Sequence, residues 1–485
     1  MTQVQEPLAA SDEDVRTQVP AGRLERYFHL AERGSTVGRE VRGGLTTFFA
    51  MAYIVLLNPI IIGSAADVTG AHLPVGELTT ATAFAAAVTT LLMGFVGNAP
   101  LALAAGLGTS GVVVSQISPH MTWPQAMGLM VIEGVVIILL VVTGLRETIM
   151  NAIPLQLKHA ISVGIGMFVA LIGLVDSGVV TRQPDSANTT VPVQLGVGGH
   201  LQGWPTFVFC FGLLLMIALM ARRIPGAILI GIVASSVLAV VIEKLANVPN
   251  LSWGLVVPKV PTKFFSAPQF GLFGHIDLVG GFARAGAATA IIALFTLVLS
   301  GFFDAMGTIM GVTSEAGLTD AQGRLPGISR ILLVDGAGAV IGGGSGASAN
   351  TVFVESTAGV GEGARTGLAA IVTGLLFAAT LLFTPIAAIV PAQATTPALV
   401  LIGALMMGQI RHVDFTDFEI AVPAFLTIVL MPFTYSITVG VGAGLIAYTV
   451  IKVALGKWRE PGWFIWGVTA IFVVFFAING IQHTL

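Results

Sequence analysis

The stretch SANTVFVESTAGVGEGARTGL, residues 348–368, interrupts a chain whose sequence is otherwise typical of membrane-spanning helices. It opens with strand-forming residues, continues with small residues and glycines, and carries the carboxylates of Glu355 and Glu362. Extended backbone inside a membrane is tolerated only where it is buried in protein or lines a cavity. A carboxylate at such a break therefore indicates a functional site.

The composition of the whole chain is that of a membrane protein. Of its 485 residues, 55% are hydrophobic and 10% are charged, which excludes a soluble globular protein and a disordered one. The formal net charge of −3 gives no indication of a nucleic-acid partner. The single cysteine, Cys210, excludes a disulfide framework and a cysteine metal site, and we expect no cofactor.

Fourteen apolar segments are predicted, since crossing ~30 Å of hydrocarbon takes roughly 20 apolar residues. Several are too short or too broken for plain helices. They are 43–64, 80–97, 100–116, 125–144, 155–175, 204–221, 225–243, 284–310, 327–344, 349–363, 366–385, 396–410, 418–433 and 435–455. A further apolar stretch, 463–480, either spans the membrane or lies at its surface.

Basic residues mark alternate connections between these segments. Arg39 and Arg42 precede the first segment, Arg222 and Arg223 follow the sixth, and Arg411 follows the twelfth. Basic loops face the cytoplasm, so the pattern predicts a cytoplasmic N-terminus in the plasma (inner) membrane.

A faint internal repeat relates the two halves. Residues 153–168 and 390–407 share an Ile/Val-Pro start and an Ile-Gly pair, and residues 225–239 resemble 435–447. Seven segments per half is an odd number, so the second copy is inverted in the bilayer. Inverted repeats are typical of secondary transporters whose site lies near the midplane at broken helices.

The third and tenth segments are predicted to be a strand followed by a half-helix. Two such strands can pair antiparallel and satisfy their own backbone. The half-helices then direct free N–H groups and positive dipole ends at one point. Glu355 and Ser356 lie at one half-helix start, and Thr109 and Ser110 lie at the other. This combination of backbone N–H donors, hydroxyl groups and one carboxylate suits a polar, neutral heterocycle. It also suits a small anion if the carboxyl group of Glu355 is protonated.

The eighth segment is predicted to supply the facing wall. Gly301, Asp304 and Thr308 fall on one helix face, and Phe303 is included among the predicted substrate contacts. Acids at membrane depth are functional candidates by default. We assign Asp304, Glu355 and Asp335 to proton coupling, against the alternative that a buried acid only fixes helix packing. For the acid of the fourth segment, at position 133, that packing alternative is favoured.

These residues resemble a known family. Residues 302–368, with TTFFAMAYIVLLNPIII (46–62) and DFTDFEIAVPAFLTIVLMPFTYSI (414–437), are similar to the AzgA-like purine permease branch of the nucleobase:cation symporters. The resemblance covers most of residues 23–460. Glu355 and Ser356 match the family's binding pair in the tenth span, and Asp304 matches its second acid in the eighth.

The resemblance implies an all-α polytopic protein with a 7+7 inverted repeat. A core domain holds the site, and a gate domain moves against it by elevator-type or rocking alternating access. It also implies proton-coupled uptake of adenine, guanine or hypoxanthine, with H⁺ as the coupling ion and a homodimer in the lipid bilayer as the assembly often seen. The implied parts are a tail (1–40), core (41–145 and 284–385), gate (146–243 and 386–456), outer loop (244–283) and C-terminal segment (457–485).

Two departures from the family leave the substrate open. Ser110 stands where the branch usually has an Asn, and Gly301 stands where it tends to have an acid. A uracil- or xanthine-like heterocycle and a small anion are therefore alternatives. The GGSG motif of residues 343–346 is also found in intramembrane serine proteases, which is a remote alternative because catalysis needs a membrane-embedded base.

Overall fold

A computed structural model of the chain describes residues 23–144, 153–183, 192–224, 226–253, 256–260, 265–320, 325–383 and 390–482. The first half contains α1 (Arg23–Phe28), α2 (Val37–Met51), α3 (Ile54–Ser64), α4 (Val75–Leu92), β1 (Leu103–Ala105), α5 (Leu107–Val112), α6 (Trp123–Val142), α7 (Leu155–Asp176), β2 (Val180–Arg182), β3 (Val193–Leu195), α8 (Trp204–Ala221) and α9 (Ala227–Ala246). After it come α10 (Asn250–Trp253), α11 (Gly280–Arg284), α12 (Ala287–Glu315), α13 (Ile328–Ser345), β4 (Asn350–Val352), α14 (Ser356–Gly361), α15 (Gly367–Thr380), α16 (Ala392–Met407), α17 (Phe418–Phe433), α18 (Ile437–Ala454) and α19 (Trp463–Gln482).

The helices bear out the predicted membrane segments. Seven helical stretches in the described residues are long and apolar enough to cross a membrane, and six shorter apolar helices accompany them. The prediction of an all-α polytopic membrane protein is confirmed. The predicted boundaries at 145/146 and 385/386 lie outside the described residues, and the tail 1–40 is described only from residue 23. Residues 463–480 form α19, which packs against α18.

The predicted strands of the third and tenth segments are present. β1 pairs antiparallel with β4, with Leu103 opposite Val352 and Ala105 opposite Asn350. Outside the ladder, the Phe353 N–H donates to the Ala102 carbonyl at 2.9 Å. Each strand is followed by a helix of six residues, α5 and α14. The pairing satisfies backbone groups that lipid could not, which makes extended chain tolerable here.

The helix contacts repeat when the two halves are exchanged. In the predicted repeat, α4, α6, α7, α8 and α9 of the first half correspond to α13, α15, α16, α17 and α18 of the second. α4 packs against α15, and their counterparts α13 and α6 also pack together. Likewise, α7 packs against α17 and the counterparts α16 and α8 pack together. The α8–α9 contact is matched by the α17–α18 contact. The β1–β4 and α7–α16 contacts map onto themselves. This pattern is what a 7+7 inverted repeat requires.

The two Ile-Gly pairs of the repeat meet in space. A Cβ added at Gly166 on α7 lies only 2.9 Å from the carbonyl oxygen of Gly403 on α16, so the backbones are in direct contact there. Small residues allow helices in membranes to approach this closely. The faint sequence similarity between residues 153–168 and 390–407 therefore reflects one packing contact between related helices.

Candidate functional site

Glu355 lies at the junction between β4 and α14. Its Oε1 accepts a hydrogen bond from the Tyr53 hydroxyl at 2.5 Å, and Tyr53 itself is fully buried where α2 gives way to α3. A carboxylate offers about four acceptor positions. Glu355 therefore keeps acceptor capacity for a ligand after binding Tyr53. This contact connects the first and tenth segments, which are 302 residues apart in sequence.

Ser356 and Thr109 hold the strand pair to the half-helices. The Ser356 hydroxyl accepts from the Ala102 N–H at 3.0 Å, so α14 is tied directly to the residue before β1. The Thr109 hydroxyl donates to the Gly106 carbonyl at 2.9 Å, at the start of α5. Both side chains are buried. The Ser356 bond, with a longer one of 3.4 Å from the Thr109 hydroxyl to the Ala349 carbonyl, ties the two half-helix starts to each other.

Ser110 belongs to a buried polar network. Its hydroxyl donates to Asn58 Oδ1 at 2.8 Å and lies 2.9 Å from the Ser348 hydroxyl. Asn58 in turn donates to Thr82 at 2.9 Å. All four side chains are fully buried, and the network joins α3, α4 and α5 to the segment that precedes β4. Satisfied buried networks of this kind fix a single packing arrangement.

Asp304 and Thr308 lie on α12, next to α14. Asp304 interacts electrostatically with Asp335 on α13 and with Glu355. Asp304, Thr308 and Glu355 are each half-buried, and the neighbouring Val354 is 48% exposed. These accessible side chains surround the junction of α12 with α14. The arrangement can bind a solute through carboxylate acceptors and can take up a proton.

The other predicted residues have different surroundings. Asp335 is buried and accepts a hydrogen bond from the Thr351 hydroxyl at 3.1 Å. Gly301 is also buried, and a Cβ at this position lies 2.8 Å from Glu133 Oε1. The Glu133 carboxyl group thus lies directly beside Gly301. The Phe303 side chain lies outside the described residues.

Three polar groups of this region are not among the site residues predicted from the sequence. Tyr53 is one of only four tyrosines, and its place in an otherwise apolar segment was the available signal. Asn58 gave a similar signal in the same segment. For Glu133 the sequence favours a packing role, because its neighbours in space cannot be read from spacing along one helix.

The sequence profile of the Permease family (Xan_ur_permease) matches residues 38–442. The chain belongs to this family. The guanine/hypoxanthine permease PbuG of Bacillus subtilis is 36% identical to this permease, over 93% of this chain and 99% of its own length. The adenine permease AdeQ of Escherichia coli is 34% identical over 94% of this chain and 96% of its own. As a permease, the chain is a multi-pass membrane transporter and not an enzyme, which excludes the serine-protease alternative.

Solved structures show the same fold at low sequence identity. The transmembrane domain of the cyanobacterial bicarbonate transporter BicA superposes on this permease with a TM-score of 0.56 and 17% identity, covering 85% of this chain and 97% of that one. The murine solute carrier 26 family member A9 anion transporter in its inward-facing state gives 0.60 and 12%, covering 94% and 77%. These likenesses support the fold alone.

Proposed function

We propose that this permease imports a purine nucleobase, adenine, guanine or hypoxanthine, together with protons. The observation that carries the proposal is the Glu355 carboxylate, placed at a strand-to-helix break inside the membrane and hydrogen-bonded by Tyr53. Relatives named as guanine/hypoxanthine and adenine permeases, at 34–36% identity over nearly the whole chain, support the substrate class.

The purine is bound by its edge. Ring and exocyclic N–H groups donate to Glu355, which is acceptor-only when ionised. The Tyr53 hydroxyl keeps the carboxylate in one orientation, and preorganisation of this kind lowers the cost of binding. The half-helix α14 directs backbone N–H groups toward the same junction, where they can donate to the carbonyl or ring nitrogen acceptors of a base.

Asp304 carries the coupling proton. It is half-buried beside Glu355 and Asp335, so a change in access alters the environment of its charge. Burial and nearby carboxylates both disfavour the ionised form, and solvent contact favours it. Alternating access to the two sides of the membrane would therefore load and release a proton at this carboxyl.

Movement of one helix group against another provides the access change. α2, α4, α6, α13 and α15 pack among themselves, as do α7, α8, α9, α16, α17 and α18. We assign the first group to the core and the second to the gate, and these helix contacts support that assignment. The protein resides in the plasma membrane with its N-terminus in the cytoplasm. The basic residues at alternate connections between the membrane segments support this orientation.

Uptake into proteoliposomes tests the proposal. Purified protein is reconstituted, an inward proton gradient is imposed, and uptake of radiolabelled adenine, guanine, hypoxanthine, xanthine and uracil is measured with and without an uncoupler. We expect accumulation of adenine, guanine or hypoxanthine that the uncoupler abolishes. Uptake of uracil or xanthine alone would contradict the assignment to these three bases, and uptake of none of the five would contradict nucleobase transport.

A further inference from the structure

Glu133 is a buried acid that the mechanism above does not use. It lies in the middle of α6 with 1% of its surface exposed, and neither carboxylate oxygen has a hydrogen-bond partner among the described residues. An ionised carboxylate without partners in a membrane interior costs several kcal/mol. This side chain is therefore expected to be neutral here, which means that it holds a proton.

Because Gly301 has no side chain, there is room beside it for the Glu133 carboxyl group. A Cβ at position 301 lies 2.8 Å from Glu133 Oε1, closer than real Cβ atoms approach, while Ile137 and Thr109 follow at 3.9 Å. Any side chain on this face of α12 must displace Glu133. Since Asp304 lies one helical turn further along α12, the glycine brings a carboxyl group of another helix to the face that carries the site.

Further acids link Glu133 to the site. Among the described residues, Asp335 on α13 is the titratable group that interacts electrostatically with Glu133, while Gly301 is the residue of α12 that lies against its Oε1. Asp335 also interacts with Asp304, which interacts with Glu355. Glu133, Asp335, Asp304 and Glu355 therefore form a series of interacting acids that runs from α6 to the proposed substrate-binding carboxylate.

We propose that Glu133 is a second proton-binding carboxyl group of the transport cycle and that Gly301 is the space that admits it. The proposal rests on the proposed proton-coupled uptake. In each cycle the Glu133 carboxylate binds one proton that comes from the outer side. The resulting carboxyl group then ionises and releases this proton to the inner side. No other reactant takes part. Glu133 thus places a carboxyl group from α6 at this face of α12. An acidic side chain at position 301 could place a carboxyl group there instead.

Glu133→Gln is the first test. We expect folding and equilibrium binding of adenine or hypoxanthine to persist, because the amide resembles the protonated acid in shape. Exchange of labelled for unlabelled base should also persist. Accumulation driven by a proton gradient should fall at least tenfold, and its dependence on pH should flatten. Glu77→Gln, which changes an acid at the start of α4, is the matched control and should behave as the native protein.

An infrared measurement keeps this inference separate from the proposed function. The carbonyl stretch of a protonated carboxylic acid should be present in the detergent-purified native protein near neutral pH and reduced in Glu133→Gln. This readout needs no transport. If no base is taken up but the band difference is present, only the proposed function fails. An unchanged band together with unchanged pH dependence of uptake would overturn the role of Glu133.

Moving the acid is the second test, and it remains informative if Glu133→Gln folds poorly. Gly301→Asp alone sets two carboxyl groups against each other and should lose expression or stability. Gly301→Asp combined with Glu133→Ala should regain stable protein and recover gradient-driven accumulation well above that of Glu133→Ala alone. A double variant that folds but accumulates no more than Glu133→Ala would contradict the proposal.

Discussion

At the scale of single residues, the hydrogen bond between Tyr53 and Glu355 is the central contact of the proposed site. Tyr53 is fully buried, whereas Glu355 is half-buried, so the donor fixes the acceptor from the protein side and leaves its other face to a ligand. Hydrogen bonds to charged groups are stronger than neutral ones and set geometry as well as energy. A substitution at Tyr53 should therefore weaken binding without changing which groups touch the base.

Tyr53→Phe is expected to lower purine affinity. Without this hydrogen bond the Glu355 carboxylate must be ordered on binding, which costs about 0.5–1.5 kcal/mol and corresponds to roughly a twofold to tenfold increase in Kd. Titration calorimetry on the purified protein measures it. Tyr27→Phe is the control, because that hydroxyl bonds the Phe95 carbonyl on an exposed surface. Equal effects of the two substitutions would exclude a specific role for Tyr53.

Asp304→Asn separates binding from coupling. The amide keeps the size of the side chain but cannot bind and release a proton, so we expect near-native equilibrium exchange of labelled base and no accumulation against a gradient. Exchange and accumulation are both measured in the same proteoliposomes. Full accumulation by this variant would remove Asp304 from the coupling mechanism.

Single residues were predictable from sequence where chemistry and position along one helix suffice. Glu355 stands out because a carboxylate at a broken membrane segment is costly to bury and is found there mainly where it binds something. The relation of Gly301 to Glu133 was not predictable, since it depends on how α12 crosses α6. For the same reason Ser110, predicted as a substrate contact, could not be assigned in advance to the buried network with Asn58 and Ser348.

At the scale of elements, the strand-and-half-helix units follow from local sequence. Close antiparallel pairing is possible because β1 lies in the small-residue stretch ALAA (102–105) and β4 begins the strand-forming stretch NTVFV (350–354). A six-residue helix follows each strand. The local composition predicted these breaks. The lateral bonds that hold them, such as Ser356 to the Ala102 N–H, join residues 254 positions apart and required the structure.

The start of α15 depends on an acid from another helix. Glu40 on α2 is fully buried, and its carboxylate accepts from the N–H groups of Arg365 at 2.8 Å, Thr366 at 3.3 Å and Ala369 at 3.2 Å. These are N–H groups at a helix start that lack partners within the helix, and the positive end of the helix dipole favours the carboxylate.

Glu40→Ala should destabilise the protein. Loss of the acceptor leaves buried N–H groups unsatisfied, at a cost of about 1–3 kcal/mol each where no water replaces it. Thermal unfolding in detergent, followed by tryptophan fluorescence, should show a clearly lower Tm. Glu32→Ala removes a side chain that is 76% exposed and should leave the Tm unchanged. A Tm for Glu40→Ala within error of that control would refute the capping role.

At the scale of the whole molecule, the inverted repeat brings related helices together. α7 and α16 cross where Gly166 meets Gly403, and β1 pairs with β4. The faint similarity of residues 153–168 to 390–407 predicted the repeat, the odd segment count predicted its inversion, and the exchangeable helix contacts agree with it. Sequence similarity alone was too faint to decide, because glycine-rich apolar segments resemble one another whether or not they are related.

Gly403→Ala should disturb this crossing. The added methyl group would overlap the Gly166 carbonyl and Ala170 on α7, and overpacking of this kind costs about 1–3 kcal/mol. Gly467→Ala on α19 adds the same methyl group where nothing lies within 4 Å, and it should be neutral or stabilise by up to ~1 kcal/mol. The Tm values of the two variants in detergent should differ accordingly. A Tm for Gly403→Ala equal to that of the native protein would contradict the close crossing.

The binding of purines to native protein and to Glu355→Gln tests the central claim most directly. Titration calorimetry with adenine, guanine and hypoxanthine should show saturable binding of at least one base to the native protein. Glu355→Gln should show none, because its amide NH₂ presents donors to the donors of the base while the fold, followed by Tm, is retained. Native affinity in a folded Glu355→Gln protein would contradict the proposed role of this carboxylate.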